Sequence, residues 1–378
     1  MRMRTVDLNC VQPLLAWRHG AVRVASVLAA LVVSGVAVAQ PSAGGSAPFA
    51  PPTAIEQLRE ASASASKPEF VRHLEDGPGF KASLVAYRVG GRRLHALVTT
   101  PESVTPRQGF PVLVALHGYH PNPPRYGYGQ DGQDRRPGDY YRSVPGAYAR
   151  AGFMVVMPDY RGHSNSDGAV FTQHPLAPAY YAEDVVGLLH GLSALPGADT
   201  TQVFVWGHSM GGEIALRAVL AWPEVKAASL WSTSGGDAWE QAHHYDRLNA
   251  PLQQDSTSRP KAGLDRLRSA LAAFGLQDRQ EAREPLLHLH LLKTPLILHH
   301  ALEDTSTDPR WSARLARDLY LRGLTYEFHS YPGSDHFFQE PQRTDAVARD
   351  IAFFKAHQGT RSNAVPKITA PTSTQDTK

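Results

Sequence analysis

The segment Gly207-His208-Ser209-Met210-Gly211-Gly212 contains the residue types that serine-based acyl transfer requires. A β-rich run, 203–206, precedes it, and a helical run, 213–221, follows it. A serine at a sharp turn between strand and helix exposes its Oγ to a base on one side and to backbone N–H donors on the other. Glycines two residues to either side remove side chains that would clash where the strand and helix cross. Ser209 is therefore the candidate nucleophile; the alternative is a serine that only caps the helix.

A nucleophilic serine needs a general base, and His336 is the best placed of the 18 histidines. It lies between the last predicted strand and the last predicted helix, on a loop at the carboxyl edge of the predicted sheet. Asp304 follows the preceding strand, and the chain order Ser209, Asp304, His336 is the order expected for a nucleophile at such a turn. Asp304 would orient the imidazole and stabilise the imidazolium. Three other carboxylates remain alternatives: Asp237, which is the main competitor, Glu303 and Asp335.

Two backbone N–H groups are candidates for holding the oxyanion that acyl transfer creates. One belongs to Met210, directly after the nucleophile, and the other to Tyr119, in His117-Gly118-Tyr119 after the predicted strand 111–116. The sequence contains no HExxH string or other metal signature, so no metal site and no cofactor are expected.

The elements around these residues alternate between strand and helix. Residues 82–89 and 92–99 flank Gly90-Gly91 and are typical of a hairpin. Buried strands are predicted at 111–116, 153–157, 203–206, 227–231, 295–299 and 325–331, and helices at 140–151, 180–195, 211–221, 310–322 and 344–357. The pattern predicts an α/β fold with a mostly parallel central sheet and helices on both faces, and places ligands at the carboxyl ends of the strands.

A long insertion, 235–292, interrupts this alternation and contains a helical pattern near 264–274. Long insertions often form lids over a site, so we expect a helical cap; the alternative is an extra helix that never contacts substrate. The catalytic domain is predicted over 80–357, after a linker and N-terminal extension at 40–79 and before a disordered tail at 358–378.

The first 39 residues have the features of an export signal. Four arginines accompany an apolar run, 25–39, that ends in the small-residue cleavage pattern Ala37-Val38-Ala39. This run is short for a membrane span, so a cleaved signal peptide is favoured over an uncleaved anchor, and no stable span is expected afterwards. Cys10, the single cysteine, lies in the leader. A cysteine-free mature chain fits a periplasmic or secreted protein.

The charge balance bears on which partners to expect. The whole chain carries a formal charge of +3, but loss of four arginines and one aspartate with the leader leaves 34 basic and 34 acidic residues. A neutral chain gives no support for a nucleic-acid or anionic-membrane partner. The expected partner is a small-molecule ester or peptide substrate, and the oligomeric state is left open.

These residues together resemble the α/β-hydrolase superfamily and, within it, the catalytic domain of the prolyl oligopeptidase family. The resemblance covers roughly residues 80–357. It rests on Pro158-Asp159-Tyr160-Arg161-Gly162, the 207–212 segment, Leu291-Leu292-Lys293-Thr294-Pro295 and Tyr331-Pro332-Gly333. It implies an α/β-hydrolase fold with Ser209, Asp304 and His336 as the triad, and makes Arg161 a structural ion-pair partner. Ala301 departs mildly from the pattern, since the family usually has glycine there.

The resemblance implies a serine peptidase, whereas the domain organisation fits an esterase equally well. Only about forty residues separate the leader from the catalytic domain, so we expect no β-propeller of the kind that gates the family's peptidases. The sequence therefore predicts an exported serine hydrolase that cleaves an ester or peptide bond through an acyl-enzyme on Ser209. The alternatives are a carboxylesterase acting on small or aromatic acyl esters and a non-catalytic binding protein on this fold.

Overall fold

The centre of the protein is a sheet, to which the described residues contribute nine strands. They are β1 (Glu69–His73), β2 (Phe80–Val89), β3 (Arg92–Pro101), β4 (Phe110–Leu116), β5 (Met154–Asp159), β6 (Ala198–His208), β7 (Ala227–Trp231), β8 (Leu296–Ala301) and β9 (Tyr326–Tyr331). Their order across the sheet is β1-β2-β3-β5-β4-β6-β7-β8-β9.

Eight helices accompany these strands in the part of the chain that the structure describes. They are α1 (Ile55–Glu60), α2 (Ser143–Arg150), α3 (Ala177–Gly191), α4 (Met210–Ala221), α5 (Ala238–Leu248), α6 (Ala262–Ala273), α7 (Pro309–Leu321) and α8 (Gln342–Ala356). Not one of these helices combines the length and apolar character needed to cross a membrane.

The computed structural model describes residues 51–60, 67–119, 143–168, 174–235, 237–248, 262–276 and 285–359. The predicted leader, the predicted linker up to residue 50, residues 120–142 and the predicted tail from residue 360 lie outside the described residues.

The sheet is antiparallel at one end and parallel through the rest. β1, β2, β3 and β5 pair antiparallel, and every pairing from β5 to β9 is parallel. The hairpin between β2 and β3 turns at Gly90 and Gly91, whose φ angles of 54° and 79° favour glycine. β4 pairs with β5 on one side and β6 on the other, so the strand order reverses there. A parallel α/β sheet binds ligands beyond the carboxyl ends of the strands at such a reversal.

Helices cover both faces of the sheet, as the sequence predicted. Along β4, Val112, Val114 and Leu116 belong to one buried cluster, which includes residues of α1, α3, α4 and α7. Leu113 and Ala115 belong to a second cluster, which includes residues of α2 and α8. Successive side chains of a strand point to opposite faces, so a run that is apolar at every position is buried on both sides. The fold is thus a mostly parallel sheet between two helical layers, which fix the positions of its strand ends.

Two elements of the N-terminal extension were not predicted. β1 is exposed at all five positions, so it lacks the alternation of polar and apolar residues that identifies a half-buried strand. α1 has only six residues, which is too short for a helical period to stand out, although Ile55 and Leu58 are buried.

Candidate active site

Ser209 lies at the turn between β6 and α4, in a backbone conformation that side chains rarely adopt. Its φ and ψ are 58° and −125°. The turn is held by hydrogen bonds from Ser209 N to Trp231 O at 2.9 Å and from Gly212 N to Ser209 O at 3.0 Å. Such strain costs about 1–3 kcal/mol and persists only where the surroundings enforce it. Here the strain places the serine side chain at the carboxyl edge of the sheet.

The two flanking glycines allow the backbone to cross at close range. A Cβ atom on Gly207 would lie 2.2 Å from Gly211 O, and one on Gly211 would lie 2.1 Å from Leu116 O. Both contacts are with backbone, which cannot move aside as a flexible side chain can. Glycine is therefore required at both positions for β4, β6 and α4 to meet at Ser209.

His336 and Asp304 are joined by a short hydrogen bond. His336 Nδ1 donates to Asp304 Oδ2 at 2.8 Å, and both residues are more than nine-tenths buried. Asp304 Oδ1 accepts from the backbone N–H groups of Ser306 at 2.8 Å and Thr307 at 2.9 Å. The carboxylate is thus held from two sides, and it fixes the orientation of the imidazole.

Asp304 is held in its ionised form. Burial alone would raise the pKa of its carboxyl group, but hydrogen bonds from His300, His336 and the backbone of Thr307 outweigh burial and hold the pKa well below its usual value. Because the carboxylate is charged, the proton of neutral His336 resides on Nδ1. The lone pair on Nε2 is then available to accept a proton from a nucleophile.

His208 connects the turn at Ser209 to the loop that carries His336, between β9 and α8. Its Nε2 donates to the backbone carbonyl of His336 at 2.8 Å, and the two rings lie 4.6 Å apart. Burial lowers the pKa of His208 well below its usual value, and the nearby His336 lowers it further, so the ring is neutral.

Ser209 Oγ forms no hydrogen bond with another described residue. In unliganded enzymes the bond between nucleophile and base is often long, and it tightens when substrate binds.

The other candidate carboxylates have different partners. Asp237 Oδ1 accepts from the N–H groups of Trp239 and Glu240 and so caps α5. Glu303 Oε2 accepts a hydrogen bond from the backbone N–H of Ser334. Asp335 Oδ1 accepts one from the backbone N–H of Phe337, within the loop that carries His336. Arg161 is buried and forms ion pairs with Asp184 at 2.6 Å and Glu183 at 2.9 Å, as expected for a residue that supports the fold.

The loop that carries Tyr119 adjoins the serine turn, because the Leu116 and His117 carbonyls lie against Gly211. Met210 is the first residue of α4, so its N–H has no acceptor within the helix. The Tyr119 side chain is 51% exposed. Whether the Met210 and Tyr119 N–H groups hold an oxyanion stays a prediction.

Within the described residues, no group of three or more His, Cys, Asp or Glu is arranged to hold a metal ion.

The insertion places α5 against both halves of the site. Gln241 Nε2 donates to Glu213 Oε2 on α4 at 2.9 Å, and His244 Nε2 donates to the Ser306 carbonyl beside Asp304 at 3.1 Å. Glu240 on α5 also forms a bidentate ion pair with Arg314 on α7. α5 is therefore fastened to the fold near Ser209 and Asp304.

The sequence interpretation assigned no role to four residues that lie beside Asp304 and His336. They are His208, Tyr245, His300 and Thr307. Burial raises the pKa of Tyr245, as do the charges of Glu213 and Asp304. His208 adjoins Ser209, and His300 and Thr307 lie within four residues of Asp304. For His208, His300 and Thr307, closeness in sequence to the predicted triad is the signal that could have found them; Tyr245, in the insertion, gives no such signal.

The sequence profile of the prolyl oligopeptidase family matches residues 140–361, more than half of the chain, including Ser209, Asp304 and His336. This chain belongs to the prolyl oligopeptidase family. A relative of known sequence is an uncharacterized 31.7 kDa protein of Escherichia coli, which is 33% identical over 66 residues. That alignment spans 18% of this chain and 22% of the relative.

Solved structures with the same fold include both esterases and peptidases. Acetyl xylan esterase 1 from Thermoanaerobacterium is 16% identical, with a TM-score of 0.51 over 79% of this chain and 90% of the esterase. Acylaminoacyl peptidase from Pyrococcus horikoshii is 17% identical, with a TM-score of 0.56 over 74% of this chain and 42% of the peptidase. This prolyl oligopeptidase-family chain thus matches less than half of the longer peptidase. Family membership and the matching structures together give this chain an α/β-hydrolase fold.

Proposed function

We propose that this protein hydrolyses ester or peptide bonds through an acyl-enzyme on Ser209, with His336 as general base and Asp304 as its acid partner. The observation that carries the proposal is the strained serine turn beside the buried His336–Asp304 hydrogen bond. A serine hydroxyl is a poor nucleophile until an adjacent base removes its proton, and His336 Nε2 is the nitrogen left free to do so.

In the acylation step, Ser209 Oγ attacks the substrate carbonyl carbon as its proton passes to His336 Nε2. The imidazolium that forms is stabilised by ionised Asp304. The carbonyl oxygen becomes an oxyanion, which the N–H groups of Met210 and Tyr119 would hold. The intermediate collapses, the bond to the leaving group breaks, and the alcohol or amine departs with the proton from His336.

In the deacylation step, water attacks the acyl carbon and gives one proton to His336 Nε2. The second tetrahedral intermediate breaks the bond to Ser209 Oγ, which regains its proton from His336. The products are a carboxylic acid and the free enzyme. No metal or redox partner is needed for this balance of atoms and protons.

Two bond types are candidates for the substrate. Family membership supports a peptide bond. An ester bond is supported by the acetyl xylan esterase likeness, because this chain matches 90% of that protein. The triad does not discriminate, since both reactions pass through the same kind of tetrahedral intermediate. A panel of p-nitrophenyl esters and aminoacyl or prolyl anilides separates them by kcat/KM. A preference for esters at every acyl size would contradict a peptidase.

Hydrolysis of the panel substrates must depend on Ser209, and Ser164 provides a matched control. Ser164 lies in a second Gly-His-Ser sequence and also has a positive φ, 49°, but the described residues directly after it, 165–168, are not helical. We expect Ser209→Ala to lower kcat/KM by at least about 10³-fold, because the acyl-enzyme cannot form. Ser164→Ala should retain turnover. Normal turnover by Ser209→Ala would contradict the proposal.

Export is the second part of the proposed function. It is supported by the apolar run 25–39 and its Ala37-Val38-Ala39 ending, together with the lack of cysteine after Cys10. N-terminal sequencing of the protein recovered from fractionated bacterial cells tests it. We expect a chain that begins at Gln40 in the periplasm or medium. An intact Met1 terminus in the cytoplasm would contradict export.

A further inference from the structure

One oxygen of Asp304 is shared by three side chains. Asp304 Oδ2 lies 2.8 Å from His336 Nδ1, 2.7 Å from Thr307 Oγ1 and 3.4 Å from His300 Nε2. The other oxygen, Oδ1, accepts only backbone N–H groups among the contacts described above. The oxygen that faces the proposed base is therefore the one that Thr307 and His300 also approach, and the acylation and deacylation steps use neither of them.

The Thr307 hydroxyl donates its proton to Asp304. Thr307 Oγ1 has two nearby acceptors, Asp304 Oδ2 at 2.7 Å and the Ser232 carbonyl at 3.0 Å, and only one proton to give. The carboxylate is nearer and charged, so it is the stronger acceptor. Thr307 is fully buried, and its backbone N–H binds the same carboxylate, so water does not compete for this contact.

The His300 imidazole also directs a proton toward Asp304. Three oxygens surround its Nε2, namely Asp304 Oδ2 at 3.4 Å, the Thr307 carbonyl at 3.4 Å and Thr307 Oγ1 at 3.5 Å. A lone pair on Nε2 would face these acceptors and be repelled. The proton therefore resides on Nε2, while Nδ1 accepts from the Ser312 hydroxyl at 2.6 Å.

We propose that Thr307 and His300 are positioning residues that lower the pH at which His336 becomes a free base. By donating to Asp304 Oδ2, they draw negative charge away from the side of the carboxylate that stabilises the protonated imidazole. A carboxylate with fewer other donors holds an imidazolium more strongly and raises its pKa. The inference rests on the proposed roles of Ser209, His336 and Asp304.

Several other titratable groups surround this pair and bear on its pH dependence. His208 contacts His336 from the end of β6, and its ring is neutral. Other such groups among the described residues are His244 and Tyr245 on α5, Glu213 on α4, and Glu303 and Asp335 on the adjoining loops. All of them are retained in the variants proposed below, so a change in the pH profile reports on the contacts of Asp304 Oδ2.

The sharpest test replaces the Thr307 hydroxyl by a methyl group. We expect Thr307→Val to move the acid limb of the kcat/KM profile upward by about 0.5–1 pH unit, because Asp304 loses a donor and holds the His336 imidazolium more strongly. Thr307→Ser retains the hydroxyl and should restore the wild-type limb. The profile is measured with the best ester or anilide of the substrate panel.

A matched control repeats the same substitution away from the site. Thr99 is fully buried on β3, and its Oγ1 has no hydrogen-bond partner among the described residues. Thr99→Val should leave the acid limb unshifted. If Thr307→Val does not fold, His300→Leu and His300→Gln give the same comparison. The first removes the donor and should raise the limb, whereas the second retains an amide donor and should raise it less.

The outcomes separate this inference from the proposed function. An unshifted or lowered limb in folded Thr307→Val, with Ser209→Ala inactive, would overturn the inference and leave the proposed function intact. An equal upward shift in Thr99→Val would overturn it as well. Full turnover by Ser209→Ala would overturn the proposed function itself. An upward shift in Thr307→Val that Thr307→Ser reverses supports the inference.

Discussion

At the scale of single residues, the protonation of the site follows from the contacts of Asp304. Besides the His336 imidazole, its two oxygens accept hydrogen bonds from two backbone N–H groups and the Thr307 hydroxyl, all within 2.9 Å. These donors compensate for burial, which by itself favours a neutral carboxyl group. An ionised Asp304 selects the His336 tautomer that has its lone pair on Nε2, so one carboxylate determines whether the histidine can act as a base.

The first prediction compares Asp304, the acid favoured by the sequence, with Asp237, its main competitor. Asp304→Asn has nearly the same volume but cannot hold the correct tautomer, so we expect kcat/KM to fall by roughly 10³–10⁴-fold. Asp237→Asn retains an oxygen that can cap α5, so its activity should stay within a few-fold of wild type. Steady-state kinetics on both purified variants checks this. A greater loss of kcat/KM in Asp237→Asn than in Asp304→Asn would show that Asp304 is not the acid partner of His336.

At the scale of elements, three pieces of backbone must meet for the serine to be presented. β6, α4 and the end of β4 approach so closely at Gly207 and Gly211 that a Cβ atom at either position would lie just over 2 Å from a carbonyl oxygen. The sequence predicted this crossing because glycine spacing and the change from strand to helix are local features. It could not predict which strand carbonyl lies against Gly211, since the end of β4 is about 95 residues away in the chain.

The second prediction concerns this crossing. Gly211→Ala should lower the free energy of unfolding by about 1–3 kcal/mol and abolish most turnover, because α4 must shift away from the Leu116 carbonyl. Gly323→Ala is the control, since Gly323 has a φ of 65° and nothing within 4 Å of an added Cβ. It should cost about 1 kcal/mol and leave turnover intact. Urea unfolding and initial rates measure both effects. Equal turnover in the two variants would contradict the steric account.

The insertion shows where sequence patterns stop being informative. The helical period predicted a helix near 264–274, and α6 is found there, but the pattern says nothing of which surface a helix contacts. α5 meets the site through the polar contacts of Gln241 and His244, which have no periodicity. The same limit applies to Thr307 and His300, whose shared acceptor depends on hydrogen-bond geometry that only the folded chain defines.

At the scale of the whole molecule, the stability of this fold should depend on pH through histidines whose pKa is lower in the folded than in the unfolded chain. Burial lowers the pKa of five described histidines, most strongly that of His208. A histidine that is neutral when folded but titrates near 6.5 when unfolded stabilises the fold above that pH. Below it the unfolded chain binds more protons than the folded chain, so stability falls as pH decreases.

The third prediction isolates His208. The wild-type free energy of unfolding should decrease from pH 7 to pH 5, and His208→Gln should show a shallower decrease because it has no imidazole to protonate. The difference between the two proteins should therefore shrink by up to about 2 kcal/mol over this range. Urea unfolding at pH 7, 6 and 5 measures it. A difference that grows on acidification would contradict a neutral, buried His208.

Fold and chemistry were predictable to different extents. The order of strands and helices follows from local patterns, and the mostly parallel sheet with helices on both faces that they predict is confirmed. Ester and peptide substrates differ in the groups that surround the scissile bond, and recognising them depends on the walls around the site. Because the sequence contains no motif that identifies these walls, it favours neither substrate class.

The most direct test of the central claim is to find the acyl group on Ser209. The enzyme is mixed with a p-nitrophenyl ester, quenched in acid within the first turnover, digested and examined by peptide mass spectrometry. The account predicts an acyl group on the peptide that contains Ser209, released with p-nitrophenol in a burst that matches the enzyme concentration, and absent from Ser209→Ala. An active enzyme whose acyl group lies on another residue, or that turns over with no covalent intermediate and an unmodified Ser209, would contradict it.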